Sequence, residues 1–221
     1  MDGLRMLSLH EPYPTLMAIG VKGLETRSWK APRSAIGQRF GIHATAKVPP
    51  EGMTVGDATV ERWLDNPTAP CLVWKDDHRR PWPLRPGHIV ASGVLAACVP
   101  MVGADGCEDD TVHLCITSGR MLLHSRLDEP WPDGQTEHDI SDQAPYGHYE
   151  PGRWAWLFVD VKPTTERCPA CWGGTEMVTR TRPGHMAETI GPRGCWKCGG
   201  VGACPPIPAK GRQGIWRWSP T

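Results

Sequence analysis

Long apolar runs are missing from this 221-residue chain. None reaches the ~18 residues that a membrane-crossing helix needs. Its first residues, Met1-Asp2-Gly3-Leu4-Arg5, also lack the apolar stretch of a secretory signal. Both absences predict a soluble, cytoplasmic protein with no membrane partner. Net charge is missing as well: 24 Lys and Arg face 24 Asp and Glu, which argues against strong sequence-independent DNA binding by the molecule as a whole. Phenylalanine is scarce, at two residues, so aromatic packing falls largely to 11 tryptophans.

The length allows one compact domain with an insertion, or two small domains. In a reducing compartment the nine cysteines are expected to serve as metal ligands or catalytic thiols sooner than as disulfides, and an odd count leaves at least one unpaired. Charge is unevenly spread along the chain. Residues 1–163 hold 16 basic and 21 acidic side chains, a formal −5, whereas residues 164–221 hold 8 and 3, a formal +5. A zinc ion held by four thiolates adds a net −2 and lowers the second figure to about +3, still a modestly basic lobe.

Along the chain, Leu7 to Leu9 is a short apolar start, and Glu11-Pro12-Tyr13-Pro14 opens a helix, since proline is tolerated in a first turn. Leu16, Met17 and Ile19 form its apolar stripe, and Gly20 suits the left-handed residue that ends it. Alternation predicts a strand over 24–29, with Glu25, Arg27 and Trp29 on one face and Leu24, Thr26 and Ser28 on the other. A strand at 39–44 points His43 to its polar side. Residues 48–86 read as a long proline-rich excursion with one helical candidate at 55–64. A buried strand is expected at 89–99. The span 105–142, with ten acidic residues against two arginines, reads as a solvated, partly irregular lobe. Two further strands, 154–161 and 215–218, bracket the cysteine-rich segment.

That segment carries the most specific motif. Cys168-Pro-Ala-Cys171 and Cys195-Trp-Lys-Cys198 are two C-x-x-C knuckles separated by 23 residues. Two residues between thiolates let both sulfurs reach one metal from a tight turn, and two such turns supply the four soft ligands of a closed tetrahedral site. Gly173, Gly174, Gly199, Gly200 and Gly202 follow the knuckles and allow backbone N–H groups to approach the sulfurs. One structural Zn²⁺ is therefore expected on Cys168, Cys171, Cys195 and Cys198. It would contribute folding free energy on the order of 10 kcal/mol to a segment too small and polar to fold alone. Cys204 and His185 are the nearest spare ligands, and Cys71, Cys98, Cys107 and Cys115 read as small core or loop residues. The second knuckle, with its C-x-x-C-x-G-x-G pattern, resembles one zinc module of the J-domain co-chaperones. That resemblance implies a zinc ribbon-like module and no chaperone activity.

Leu7-Ser-Leu-His-Glu-Pro-Tyr13, then Gly20-Val-Lys-Gly-Leu-Glu-Thr-Arg27 with Ser28-Trp29, resemble the ASCH domain, a branch of the PUA-like superfamily. Ile42-His43-Ala44, the block from Pro145 to Trp156 and the block from Pro208 to Trp216 are similar to later parts of the same family. The resemblance implies an α+β fold, a mixed β-barrel with flanking helices. Its discontinuous domain would span 1–163 and 205–221, and the zinc module would be an insertion at 164–204. It also implies a cleft lined by Lys22, Glu25 and Arg27, to which His43, Tyr146, Lys210, Arg212 and Gln213 are added. A lysine at a turn, followed by a carboxylate and a guanidinium on one strand face, offers donors and an acceptor to a nucleobase or phosphate. The competing reading of Glu25 and Arg27 is a plain surface ion pair.

Two classes of function fit these residues. In the first, the cleft binds RNA, DNA or a modified nucleoside or nucleotide, and the basic zinc lobe grips the backbone. In the second, the protein is a hydrolase, since ASCH-like proteins include an amidohydrolase of acetylated cytidine and others that resemble ribonucleases. Lys22 matches the amidohydrolase's lysine and would act as base, with Glu25 activating water or protonating the leaving group. Glu25, however, stands where that enzyme has its threonine, and Thr26 should face the other way. A third reading makes the zinc lobe a docking site for a protein partner.

Overall fold

The computed structural model describes residues 4–63, 66–75, 82–108, 111–126, 135–164, 178–180, 188–190, 207–208 and 215–218. In order, the strands and the helix are β1 (Leu4–Leu9), α1 (Tyr13–Ala18), β2 (Leu24–Arg27), β3 (Arg39–Ala44), β4 (Thr54–Val55), β5 (Ala58–Trp63), β6 (Asn66–Trp74), β7 (Trp82–Pro83), β8 (His88–Gly103), β9 (His113–Thr117), β10 (Arg120–His124), β11 (Glu137–Asp139), β12 (Trp154–Pro163), β13 (Val178–Arg180), β14 (Glu188–Ile190), β15 (Ile207–Pro208) and β16 (Ile215–Trp218). Three 3-10 turns, at Arg33–Ala35, Ala104–Gly106 and Ser141–Tyr146, complete the described elements. The fold is mostly β, and none of its described helices is long and apolar enough to cross a membrane.

The 16-residue strand β8 organises the molecule. It pairs antiparallel with β3 over Val94 to Ile89 on one side and with β12 over Ala91 to Pro100 on the other, and Met101 to Gly103 then run parallel to β9. Beyond β3 come β1, parallel to it, and β16, antiparallel to β1. Beyond β12 lies β2, antiparallel, with Trp156 opposite Glu25 and Trp154 opposite Arg27. This sheet is mixed, as expected, but it branches at β8, and among the described residues its pairing does not return on itself to close a barrel. Among the described residues the expected barrel with flanking helices is thus corrected to an open mixed sheet with one α-helix of six residues.

Two cores lie on opposite faces of the β2–β12–β8 layer. Leu7, Leu9, Phe40, Ile42, Leu95, Trp156 and Phe158 form one, and Leu24, Val99, Met101, Leu114, Met121, Leu123 and Ala155 form the other. The acidic span 105–142 is therefore not the solvated lobe its charge suggested. β9, β10 and β11 make an antiparallel meander, and the apolar positions Leu114, Met121 and Leu123 are buried. Its acidic residues fall outside β9 and β10, with Glu137 and Asp139 on β11, so averaging charge over the span hid the alternation of the two apolar strands. Cys107 and Cys115 are joined by a disulfide, which corrects the expectation of free thiols there. The turn at Ala104–Gly106 returns the chain beside β9, where Cys115 stands opposite Val102.

The expected helix at 55–64 is a hairpin. Val55 pairs with Ala58 across Gly56 and Asp57, and Gly56 takes φ +59°, a left-handed value suited to a tight two-residue turn. β4 to β7 form a four-stranded antiparallel sheet, so the excursion 48–86 is a structured layer. Val55, Ala58, Val60, Leu72, Trp74 and Leu84 pack there against Leu16 of α1. His43 is also corrected. It is buried, because β3 lies inside the sheet between β1 and β8 and both of its faces are covered.

Candidate functional site

The site begins at the end of α1. Gly20, at φ +78°, is the left-handed residue, its N–H donates to Met17 O at 3.1 Å, and Val21 N donates to Leu16 O at 3.0 Å. These are the two bonds of a Schellman stop. Lys22 N also donates to Leu16 O, at 3.1 Å, so the stop fixes where the lysine leaves the helix. Gln143 clamps this turn from the far end of the chain: its Oε1 accepts from Gly23 N at 2.8 Å and its Nε2 donates to Val21 O at 3.3 Å.

Lys22 turns inward. Its Nζ donates to Leu24 O and, at 2.7 Å, to Tyr146 O, lies 3.5 Å from Glu25 Oε2, and stands 5.7 Å from the centre of the Tyr13 ring. Burial holds the amine below its ordinary pKa, while the neighbouring Glu25 carboxylate opposes that shift. Glu25 Oε1 lies 3.2 Å from Arg27 Nε, an ion pair whose direction does not make a hydrogen bond, so this buried N–H has no hydrogen-bond partner among the described residues. Arg27 Nη2 donates to Ser8 O at 3.0 Å, and Ser8 Oγ meets His43 Nδ1 at 3.0 Å. One connected polar chain therefore runs from Tyr146 O through Lys22, Glu25 and Arg27 to Ser8 and His43.

Two cations and one carboxylate leave a formal +1 at its centre. Side-chain exposure rises from 1 % at Lys22 through 11 % at Glu25 to 20 % at Arg27, so solvent reaches this row from the Arg27 end. Thr26 faces the other way, as the alternation predicts, and its Oγ1 accepts from His148 N at 3.2 Å. Tyr146 contributes its carbonyl, while its ring packs on Gly56. Lys210, Arg212 and Gln213 lie outside the described residues, as do Cys168, Cys171, Cys195 and Cys198 with Cys204 and His185. The described ends of segment 209–214 are anchored close by: Ile215 is opposite Leu7, and Ile207 is opposite Ile89, which itself pairs with His43.

Sequence reasoning missed several residues here. Gln143 lies just past the acidic span 105–142, and its distance in sequence from Lys22 hid it. Glu11 was read as part of a block, with no role. It is 3 % exposed, and its Oε1 accepts from Thr15 Oγ1 at 2.9 Å and Arg85 N at 3.0 Å, while Oε2 has no partner among the described residues. Desolvation pushes its carboxyl up to about 7, against the two hydrogen bonds. The Tyr149 phenol is pushed far above its usual range by burial and by the charges of Glu25 and Asp142. Cys71 and Cys98 are unbridged. Burial raises Cys71 to about 11 and raises Cys98 too, which suits neither to nucleophilic work at neutral pH.

Comparison with curated proteins finds no match for this chain. A family model does match part of it, the part that supplies β1, the Schellman stop, the Lys22–Glu25–Arg27 row and His43. Over residues 7–81 the chain matches the ASCH domain.

Proposed function

We propose that this is a nucleic-acid-associated protein of the ASCH type, which binds RNA or a modified nucleotide at a cleft formed around Lys22, Glu25 and Arg27. The observation that carries the reading is the buried ionic row itself. A buried ion pair is often no more stabilising than well-packed apolar side chains of the same volume. Two cations and a carboxylate at the edge of an apolar core are thus poorly explained by stability alone. With a surplus positive charge, an acceptor in Glu25 and an unbonded N–H on Arg27, the row suits a base edge beside a phosphate. Lys210, Arg212 and Gln213 would complete the site from a segment whose two described ends are tied beside Ser8 and His43.

The hydrolase reading rests on one favourable feature, the lowered pKa of Lys22. Thr26 offers it no side-chain nucleophile, since it faces away from the lysine and is engaged by His148, which leaves a water activated by Glu25 as the attacking group. A panel of modified nucleosides and short RNAs, assayed for both retention and product, separates the two. Retention without turnover is expected. It should weaken as salt rises and fall at least about tenfold in Lys22→Ala. Product that disappears in the variant would select the enzyme instead, and a flat salt response would count against nucleic acid.

The zinc module at 164–204 belongs to the same proposal, as an insertion between β12 and the last strands. The pairing Val178↔Ile190 lies at the open end of the β13–β14 hairpin, so the chain leaves that end toward Cys171 on one side and Cys195 on the other. Six residues lie between Cys171 and Val178 and four between Ile190 and Cys195, short enough for both knuckles to meet. Four thiolates fit Zn²⁺, which would supply a structural cross-link with no open coordination position. Elemental analysis of protein purified without chelator should return one zinc per chain, and serine at any of the four cysteines should abolish it. A metal-free native protein would remove the module from the reading.

A further inference from the structure

We infer that Trp29 is the stacking surface of the site and that its ligand is an unpaired nucleobase, an inference that rests on the nucleic-acid reading above and specifies it. Among the described residues only Trp29, Ile36, Val48 and Val159 are large apolar side chains left exposed, and Trp29 is the aromatic one. An exposed indole would ordinarily be mobile, but this one is braced. Its ring meets Trp156 edge to face, with centroids 4.7 Å apart at 86°, and Trp156 is fully buried. Trp156 Nε1 also donates to the Trp29 carbonyl at 3.4 Å, and two residues on, Ala31 N donates to Cys98 Sγ at 3.2 Å. An edge-to-face contact covers at most one face of a ring. Trp29 therefore keeps a face for a ligand, with its orientation already fixed.

Its position relates it to the polar row. Trp156 stands opposite Glu25 and Trp154 opposite Arg27 in the β2–β12 pairing, and opposed residues share a face. The ring that braces Trp29 is thus the cross-strand neighbour of Glu25. Whole-residue exposure increases from 1 % at Lys22 and 8 % at Glu25, through the partly exposed Arg27, to 37 % at Trp29. Lys30, the next residue, holds its ammonium 4.8 Å from the Trp154 ring centre, which adds a cation beside the platform. Together these groups offer a π-face, then an acceptor and an unbonded donor for a base edge, then positive charge for a phosphate. In a duplex both faces of a base are covered by its neighbours, so the stack selects an unpaired base, from a single strand or from a free nucleotide.

The test uses the full zinc-loaded chain and a fluorescein-labelled strand of about ten nucleotides, read by anisotropy, with competition by the matching duplex, an abasic strand of equal phosphate number and nucleoside monophosphates. The labelled strand should be bound at least about tenfold more tightly than the duplex or the abasic strand, and competition by monophosphate identifies a free nucleotide as sufficient. Trp29→Leu, which keeps apolar bulk without a π-face, should weaken binding about 5- to 100-fold, whereas Trp29→Phe should stay within about threefold. Thermal melts of both variants check that the fold survives. Equal affinity for normal and abasic strands, an assay that needs no variant, would overturn the stacking role while leaving nucleic-acid binding in place. So would an undiminished Trp29→Leu. Failure of the unmodified chain to bind any of these probes would overturn both.

Discussion

Glu25→Ala should lower the stability of the chain by about 3–5 kcal/mol, the cost of breaking a buried ion pair from one side. Glu25 is the only carboxylate in ion-pair contact with Lys22 or Arg27 among the described residues, and its side chain is only 11 % exposed, so solvent screens little of the loss. Without it, Lys22 is left among carbonyl oxygens with burial unopposed, and its pKa must fall further. The variant should then show a signature that a simple cavity would not. A lysine with a folded pKa below its unfolded value of 10.5 makes the unfolded state bind more protons between those two values, so stability rises with pH across that window. Urea midpoints at neutral and alkaline pH measure both effects. Lys22→Met with Glu25→Leu should recover most of the stability and none of the binding. A Glu25→Ala midpoint within about 1 kcal/mol of the unmodified chain would mean that water reaches the row freely.

The polar row was legible because it is local. Lys22, Glu25 and Arg27 lie within six residues of chain, Gly20 announces the stop that aims the lysine, and strand alternation alone separates Glu25 and Arg27 from Thr26. The strands around Trp156 and Ile89 were legible for the same reason, since each is a local apolar stretch enriched in β-branched or aromatic residues. Distance in sequence defeated the rest. Tyr146 was placed at the cleft through its block's resemblance, and it is its carbonyl that meets Lys22, but the amide of Gln143 reaches the lysine's turn from more than a hundred residues away, and nothing in its own neighbourhood marks it. His43 misled because alternation gives the side of a strand and not what covers that side, and β3 has a neighbour on each edge. The hairpin at 54–63 misled because Val55 and Ala58, three residues apart, suit one face of a helix as well as two paired strands, and the left-handed Gly56 decides between them.

Glu11 produces the second large effect, and its sign is opposite to that of most carboxylates. The usual paired acid has a depressed pKa, like the exposed Asp139, held down near 2 by its bonds to Ser141 and Arg120, so its contribution fades only as pH falls below the ordinary carboxylate range. Burial raises Glu11 from its ordinary 4.5 to about 7, so between those values the folded protein holds a proton that the unfolded chain has released. Folding then becomes less favourable as pH rises, by about 3 kcal/mol across that window for a fully buried group. Glu11→Gln keeps an oxygen to accept from Thr15 Oγ1 and Arg85 N and has no proton to lose. At pH 5 the variant and the unmodified chain should have similar denaturant midpoints. At pH 8 the variant should be the more stable by about 2–3 kcal/mol, and subtracting the two pH profiles cancels every other titrating group, including any acid-labile zinc site. Parallel profiles would show that Glu11 ionises without cost, which requires water or a cation at Oε2 and would make that oxygen part of a binding site.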